Sequence, residues 1–334
     1  MVWHVRPARE FAACAEDWRT LTRACGNTPL LDTGFVASLL EYFSTGNEVV
    51  ATLRDGEAVT AMGVFAPAGR FGWNTLQPAN APLGFWLQTP GTQLADVLPT
   101  LARALSPTCL ILGLTQQDPD INPRPQPTPQ ISTLDYIETA RITVPGSFAD
   151  WWGARSKNLR HDVTRQKNRF KRDGVAAQLQ VLKSPADMAR AVADYGRLES
   201  AGWKGAIESA VTEGGTQARF YTDVLEAFAK RGEAIVSEYL LDSKVVACDL
   251  CLLRDGVLYI LKTAYDESRQ GTSSAHLMRH DLFGSTFDDG TVKTVEFYGR
   301  AMEWHRRLTG EIRTMYHVNW YRWSPLRTLH RRSS

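Results

Sequence analysis

Short alternating runs of apolar and polar residues, punctuated by tight turns, fill the stretch Ala234–Met278, AIVSEYLLDSKVVACDLCLLRDGVLYILKTAYDESRQGTSSAHLM. Ile235–Leu241 and Lys244–Leu253 meet at Asp242-Ser243, and Asp255-Gly256 leads into Val257–Tyr265. Runs of β-branched and apolar residues flanking such turns predict a three-stranded antiparallel meander. The pattern then gives way to small polar residues, Ser268–Ser274, and resumes with helical spacing at Ala275. A strand that feeds a small-residue loop into a helix N-terminus suits an anion. Free backbone N–H groups and the positive end of the helix dipole converge there, and no bulky side chain blocks the approach.

The same grammar occurs earlier. Asn47–Leu53, Glu57–Phe65 and Phe71–Leu76 read as strands joined by turns, followed by a loop, a helix over Thr92–Leu105 and an apolar strand, Cys109–Leu114; the matching last strand of the second half is Val292–Tyr298. Order and turn positions coincide, which indicates an internal duplication. Helices are predicted at Glu10–Arg23 and at Thr33–Phe43, the latter capped by Asp32 or Thr33. The segment QQDPDINPRPQPTPQ, Gln116–Gln130, is proline-rich and polar and reads as an extended surface connection, with a strand returning over Leu134–Val144. The chain is thus expected to form an N-terminal domain, 1–140, and a C-terminal domain, 141–334, of mixed α/β (α+β) class with two mixed, mostly antiparallel sheets flanked by helices.

Composition narrows the function. The 334 residues exceed what one core usually serves, and 43% apolar with 22% charged residues is ordinary for a globular protein. A formal net charge of +2 provides no global attraction to nucleic acid or membrane. No apolar run approaches the roughly 20 residues of a membrane span, and MVWHVRPARE lacks the core of a signal peptide, so the cytoplasm is the expected location. Five scattered cysteines, Cys14, Cys25, Cys109, Cys248 and Cys251, form no disulfide framework; Cys248 and Cys251 lie within a strand and read as packing residues. There is no HExxH, EF-hand loop, GxxxxGK[ST], GxGxxG or GxSxG, so no metal is expected and the commonest nucleotide and hydrolase signatures are absent.

Local charge is concentrated in RSKNLRHDVTRQKNRFKRDG, Arg155–Gly174, an amphipathic helix with Leu159, Val163 and Phe170 on one arc and a basic remainder, closed by Gly174. Further helices are predicted at Met188–Ala201 and Phe220–Arg231, the first running into LESAGWKG. Two glycines around Trp203 and Lys204 after a buried-looking helix are hard to explain by packing alone.

Taken together, SKNLRHDVTRQKNRFKRDG, LESAGWKG, FYTDVLEAFAKRG, the meander ending LKTAYD, the loop before HLM, and VEFYGRAMEWHRRLTG resemble acetyltransferases of the CelD/BcsL type, associated with cellulose and exopolysaccharide loci. These are similar in architecture to double GNAT-fold proteins and to the Fem-type peptidyltransferases. The resemblance implies transfer of an acyl group, acetyl in the first instance, from acetyl-CoA or another acyl-CoA to an amine or hydroxyl of a small molecule or saccharide. It assigns Ile260–Asp266 as the splayed strand beside the thioester, and Gln270, Gly271, Thr272, Ser273, Ser274, Ala275 and His276 as the loop that holds the pyrophosphate. Relatives usually carry tyrosine, serine, proline and glycine where this chain has Thr272, Ser273, Ser274 and Ala275.

An attacking amine must lose a proton, which calls for a carboxylate: Glu199 and Asp266 are the candidates, with Lys204 beside the first. Trp203, Lys262 and Tyr265 are candidate substrate contacts, and Tyr298 a candidate donor to the leaving thiolate. His276, His280 and His305 read more simply as exposed helix histidines. Two other readings remain open. One is an aminoacyl-tRNA-dependent transferase whose basic helix and C-terminal RWSPLRTLHRRSS contact tRNA; the other is a silent glycan-binding module stacking sugars on Trp203, Trp304, Trp320 and Trp323.

Overall fold

The structure is a computed structural model and describes residues 1–144, 146–201, 211–212, 214–269 and 273–330. The chain folds as two compact units, Met1–Glu138 with Thr314–Ser334, and Thr139–Arg313.

The first unit contains β1 (Val2–Pro7), α1 (Ala15–Ala24), α2 (Thr33–Phe43), β2 (Val49–Asp55), β3 (Ala58–Pro67), β4 (Gly72–Thr75), β5 (Trp86–Gln88), α3 (Leu94–Leu105) and β6 (Ile111–Gln117). Strand β7 (Ile131–Thr143) then carries the chain into the second unit. There follow α4 (Phe148–Gly153), α5 (Lys157–Arg172), β8 (Ala177–Leu182), α6 (Pro185–Ala201), α7 (Thr216–Ala229), β9 (Ala234–Leu241), β10 (Lys244–Arg254), β11 (Val257–Tyr265), α8 (Ser274–Asp288), β12 (Thr294–Phe297) and α9 (Glu303–Leu308). Strand β13 (Glu311–Tyr321) returns to the first unit, which ends with α10 (Ser324–His330).

Each unit holds a mixed sheet flanked by helices, and the two have the same plan. In the second, β8, β9, β10 and β11 pair antiparallel in succession, β11 pairs parallel with β12, and β12 pairs antiparallel with β7. In the first, β1, β2, β3 and β4 pair antiparallel in succession, β4 pairs parallel with β6, and β6 pairs antiparallel with β13. The closing strand of each sheet therefore comes from the other half of the sequence: β7 follows β6 in the chain yet pairs with β12, and β13 follows β12 yet pairs with β6.

The basic stretch forms α5 because its apolar positions recur on one arc: Leu159, Val163, Gln166 and Phe170 are buried, and the hydroxyl of Ser156 caps the start by accepting from Leu159 N–H at 3.3 Å. These side chains join Trp151, Ile235, Tyr239, Leu258, Leu277 and Phe283 in the core of the second unit. Replacing Phe170 by alanine would remove about 3–5 kcal/mol from that core.

Some expectations need correction. Glu10–Arg23 is not one helix: Ala8–Cys14 is a 3-10 stretch and α1 starts after it. The Gln116–Gln130 connection is not wholly a surface segment, since Gln116, Gln117, Asp118 and Asn122 are buried. Nor are the helix histidines exposed: His305 is buried and His276 half-buried.

Candidate functional site

In the second unit the parallel strands β11 and β12 stay paired only from Val257↔Thr294 to Ile260↔Phe297, while β11 runs on to Tyr265. A bulge sits at the point of divergence, because Cys251 opposes Ile260 but Leu250 opposes Lys262, leaving Leu261 over. Beyond it, one edge of β11 has no strand beside it among the described residues. Consecutive N–H groups point to alternate edges of a strand. Asp266 N–H reaches Val246 O of β10 at 2.8 Å, so those of Thr263 and Tyr265 face the opened edge.

A cleft of about 620 Å³ occupies this opening, lined by Thr263, Ala264 and Tyr265 of β11, by Ser273, Ser274, Ala275, His276 and Arg279 at the start of α8, and by Trp304 of α9. Two buried atoms on α8, Ser274 Oγ and His276 Nδ1, have no hydrogen-bond partner among the described residues. Burial, aided by the nearby charges of Arg279 and Arg307, lowers the His276 pKa to about 4, so the ring is neutral at pH 7. Unsatisfied buried polar groups are costly unless a ligand completes them. Two such atoms bordering one cleft fit a polar ligand threaded along α8.

Arg279 is the central charge of the cleft and was absent from the sequence reading. Its guanidinium is 1% exposed, donates from Nε and Nη2 to the two oxygens of Asp249 at 3.0 and 2.9 Å, and donates again from Nη2 to Thr263 Oγ1 at 2.7 Å. It lies 4.3 Å from the centroid of the Trp304 ring. A signal for the pair does exist in the sequence. Arg279 falls four residues after Ala275 and four before Phe283 on the core face of α8, and Asp249 interrupts the apolar run VVACDLCLL. A charge at a core position in each of two neighbouring elements invites a buried ion pair.

The opposite face of β11 carries Glu199. It is 5% exposed, lines the cleft, accepts from Tyr195 OH at 2.9 Å and from Val211 N–H at 2.7 Å, and lies 3.9 Å from Lys262 Nζ. Burial, with the charge of Glu199, raises the pKa of both Tyr195 and Tyr221, which keeps these phenols neutral. A carboxylate offers about four lone-pair positions, so Glu199 retains room for a substrate proton.

Glu199, Lys262, Tyr265, Ser273, Ser274, Ala275 and His276 thus come together around the opened strand. Asp266 does not line the cleft. Its carboxylate accepts from Ser268 Oγ, Ser268 N–H and Arg269 Nε at 2.6, 3.0 and 3.1 Å, contacts that hold its pKa below the usual value and make it the cap of the turn after β11. Tyr298 is buried, stacks on Tyr259 with centroids 6.2 Å apart, and lies under Arg313 rather than in the cleft. Trp203, Lys204, Gln270, Gly271 and Thr272 lie outside the described residues. Of the tryptophans named for sugar stacking, Trp304 borders the cleft, whereas Trp320 belongs to the core of the first unit and Trp323 is exposed there. Among the described residues no cluster of His, Cys, Asp and Glu could hold a metal ion, and no helix is long and apolar enough to cross a membrane.

The corresponding place in the first unit is filled by the chain itself. β4 and β6 pair from Gly72↔Ile111 to Asn74↔Gly113, after which Thr75 Oγ1 accepts from Thr115 N–H at 2.8 Å and Gly84 N–H donates to Gln116 O at 3.2 Å. Gly84 is required by this contact: a Cβ there would stand 2.1 Å from Thr115 O.

Residues 157–306 match the family described as Acetyltransferase (GNAT) domain. No curated protein matches the sequence. Solved structures with similar folds include a tandem GNAT protein from the clavulanic acid biosynthesis pathway, at 12% identity and TM-score 0.51 over 95% of this chain and 98% of that one. L-PGS from Bacillus licheniformis is similar at 12% identity and TM-score 0.53 over 94% of each chain, and FemX at 8% identity and TM-score 0.51 over 84% of this chain and 89% of that one. Residues 157–306 are thus similar to a GNAT-type acetyltransferase domain, and the fold of the chain is similar to that of tandem GNAT proteins.

Proposed function

We propose that the chain moves an acyl group, acetyl in the simplest case, from acyl-coenzyme A to an amine or hydroxyl of a small molecule or saccharide, by direct attack with both substrates bound. The observation that carries this reading is the opened edge of β11 leading onto the N-terminus of α8. Thr263 and Tyr265 N–H are available to a thioester carbonyl and to the amides of its arm. Ser273 to His276 at the start of α8 would hold the pyrophosphate.

Glu199 takes the proton that the acceptor loses, and Lys262 beside it positions the carboxylate. Tyr265 and Met302, both exposed at the mouth, offer apolar contact to the acceptor. The similarity to CelD/BcsL-type sequences favours an acceptor in exopolysaccharide synthesis. A second reading, an aminoacyl-tRNA donor, is supported by one contact: Gln166 of the basic helix α5 accepts from Ser273 N–H at 2.8 Å, which places that helix beside the same loop.

Calorimetric titration with coenzyme A, acetyl-CoA, a longer acyl-CoA and charged tRNA separates these. Saturable acyl-CoA binding, weakened at least about tenfold by Ser274→Trp, is the expected result, since the indole would occupy the cleft. Absence of any thioester binding would overturn the proposal, and salt-sensitive tRNA binding in its place would favour the second reading.

A further inference from the structure

The geometry points to Arg279 as the group that receives the departing thiolate, an assignment that rests on the acyl-CoA reading above. Alternation along β11 places Lys262, near Glu199, and Thr263, bonded to Arg279, on opposite faces of one strand. Thr263 also turns its N–H to the opened edge. A thioester carbonyl held there has Glu199 on one side and the guanidinium on the other.

The guanidinium is built for such a role. Nε and Nη2 are engaged by Asp249 and Thr263, and among the described residues Nη1 has no hydrogen-bond partner, although Arg279 lines the cleft. Asp249 balances the charge and, with the Trp304 face, fixes the plane of the fork. Tyr298, which the sequence suggested for this task, is stacked elsewhere. Among the described residues the remaining charges bordering the cleft are Glu199, Glu267 and Arg300, and His276 is neutral at pH 7.

The step balances as follows. The acceptor nitrogen or oxygen bonds to the acyl carbon and its proton passes to Glu199. The carbon–sulfur bond breaks with its electron pair on sulfur, and Nη1–H donates a hydrogen bond to the thiolate without surrendering its proton. The thiolate takes a proton from water after release.

The test needs no acceptor. The thiol of bound coenzyme A is titrated by the ultraviolet absorbance of its thiolate in the wild type, in Arg279→Lys, and in the double variant Asp249→Asn/Arg279→Gln, which keeps a neutral hydrogen-bonded pair in the core. Lys244→Gln, which removes an exposed charge at the start of β10, is the control. In the wild type, ionisation at least about one pH unit below that of free coenzyme A is expected, a tenfold gain in thiolate. The gain should vanish in the double variant, shrink in Arg279→Lys and persist in Lys244→Gln, with affinity for coenzyme A changed less than about threefold. Binding without the shift, or a shift that survives the double variant, overturns the role of Arg279 alone. No binding of coenzyme A to the wild type overturns it together with the acyltransferase reading.

Discussion

Glu199 and Arg279 are both charged and almost sealed from water, and they differ in what balances them. Arg279 has a full partner in Asp249, whereas Glu199 has two neutral donors and a lysine 3.9 Å away. Removing half of the first pair should therefore be structural: Asp249→Ala leaves an uncompensated buried cation and should lower stability by roughly 3–5 kcal/mol, read from the denaturant midpoint. Glu199→Gln should instead lower the rate of acyl transfer about 10²- to 10⁴-fold while acyl-CoA affinity stays within a few-fold, once an acceptor is in hand. His276 adds a dependence on pH. Its pKa falls from 6.5 to about 4 on folding, so between those values the unfolded chain binds the proton and the folded one does not. Stability is full above pH 6.5 and is lost as pH falls; at pH 5 the loss is about 2 kcal/mol, and His276→Asn should flatten the change in melting temperature between pH 7 and pH 5. Glu199 could be named from the sequence because glycines and an aromatic follow it. The pair Asp249–Arg279 escaped because neither residue belongs to a motif: each is one charge within a largely apolar element, and only the fold brings the two together.

The elements that could be read best were those buried on both faces. β9, β10 and β11 show long apolar runs with turns at Asp242-Ser243 and Asp255-Gly256, all with positive φ in the structure, as tight hairpins require. β1 and β8, each at the edge of a sheet, were missed because an edge strand needs few apolar residues, and VWHVRP and AQLQVL have largely exposed positions. The divergence of β11 from β12 was legible only through family resemblance, since the length of a pairing is not encoded in either strand alone. It supports a sharp prediction: Thr263→Pro deletes an N–H that faces the opening rather than β10. The variant should keep the β10–β11 pairing and a near-native far-ultraviolet spectrum, yet lose about 10²–10³-fold in acyl transfer.

At the scale of the whole molecule, the duplication was visible as a repeated order of strands and turns, and both halves do share one plan. What could not be seen was the origin of the strand that closes each sheet. β13, EIRTMYHVNWY, alternates polar and apolar residues as any half-buried strand does, and nothing in it names β6 as its neighbour. A chain stopped after Arg313 should leave the first unit without that strand while sparing all of the second. In limited proteolysis, fragments from residues 1–138 should disappear first. The same exchange bears on how the protein is made. The half that leaves the ribosome first must wait, with the edge of β6 unpaired, until β13 has been made, and that strand arrives only after the whole of the second unit has been synthesised. An exposed edge over that interval invites pairing with a second nascent chain. Slow translation of the codons for β13 would prolong that exposure, and a chaperone acting on the early half would shorten its consequences.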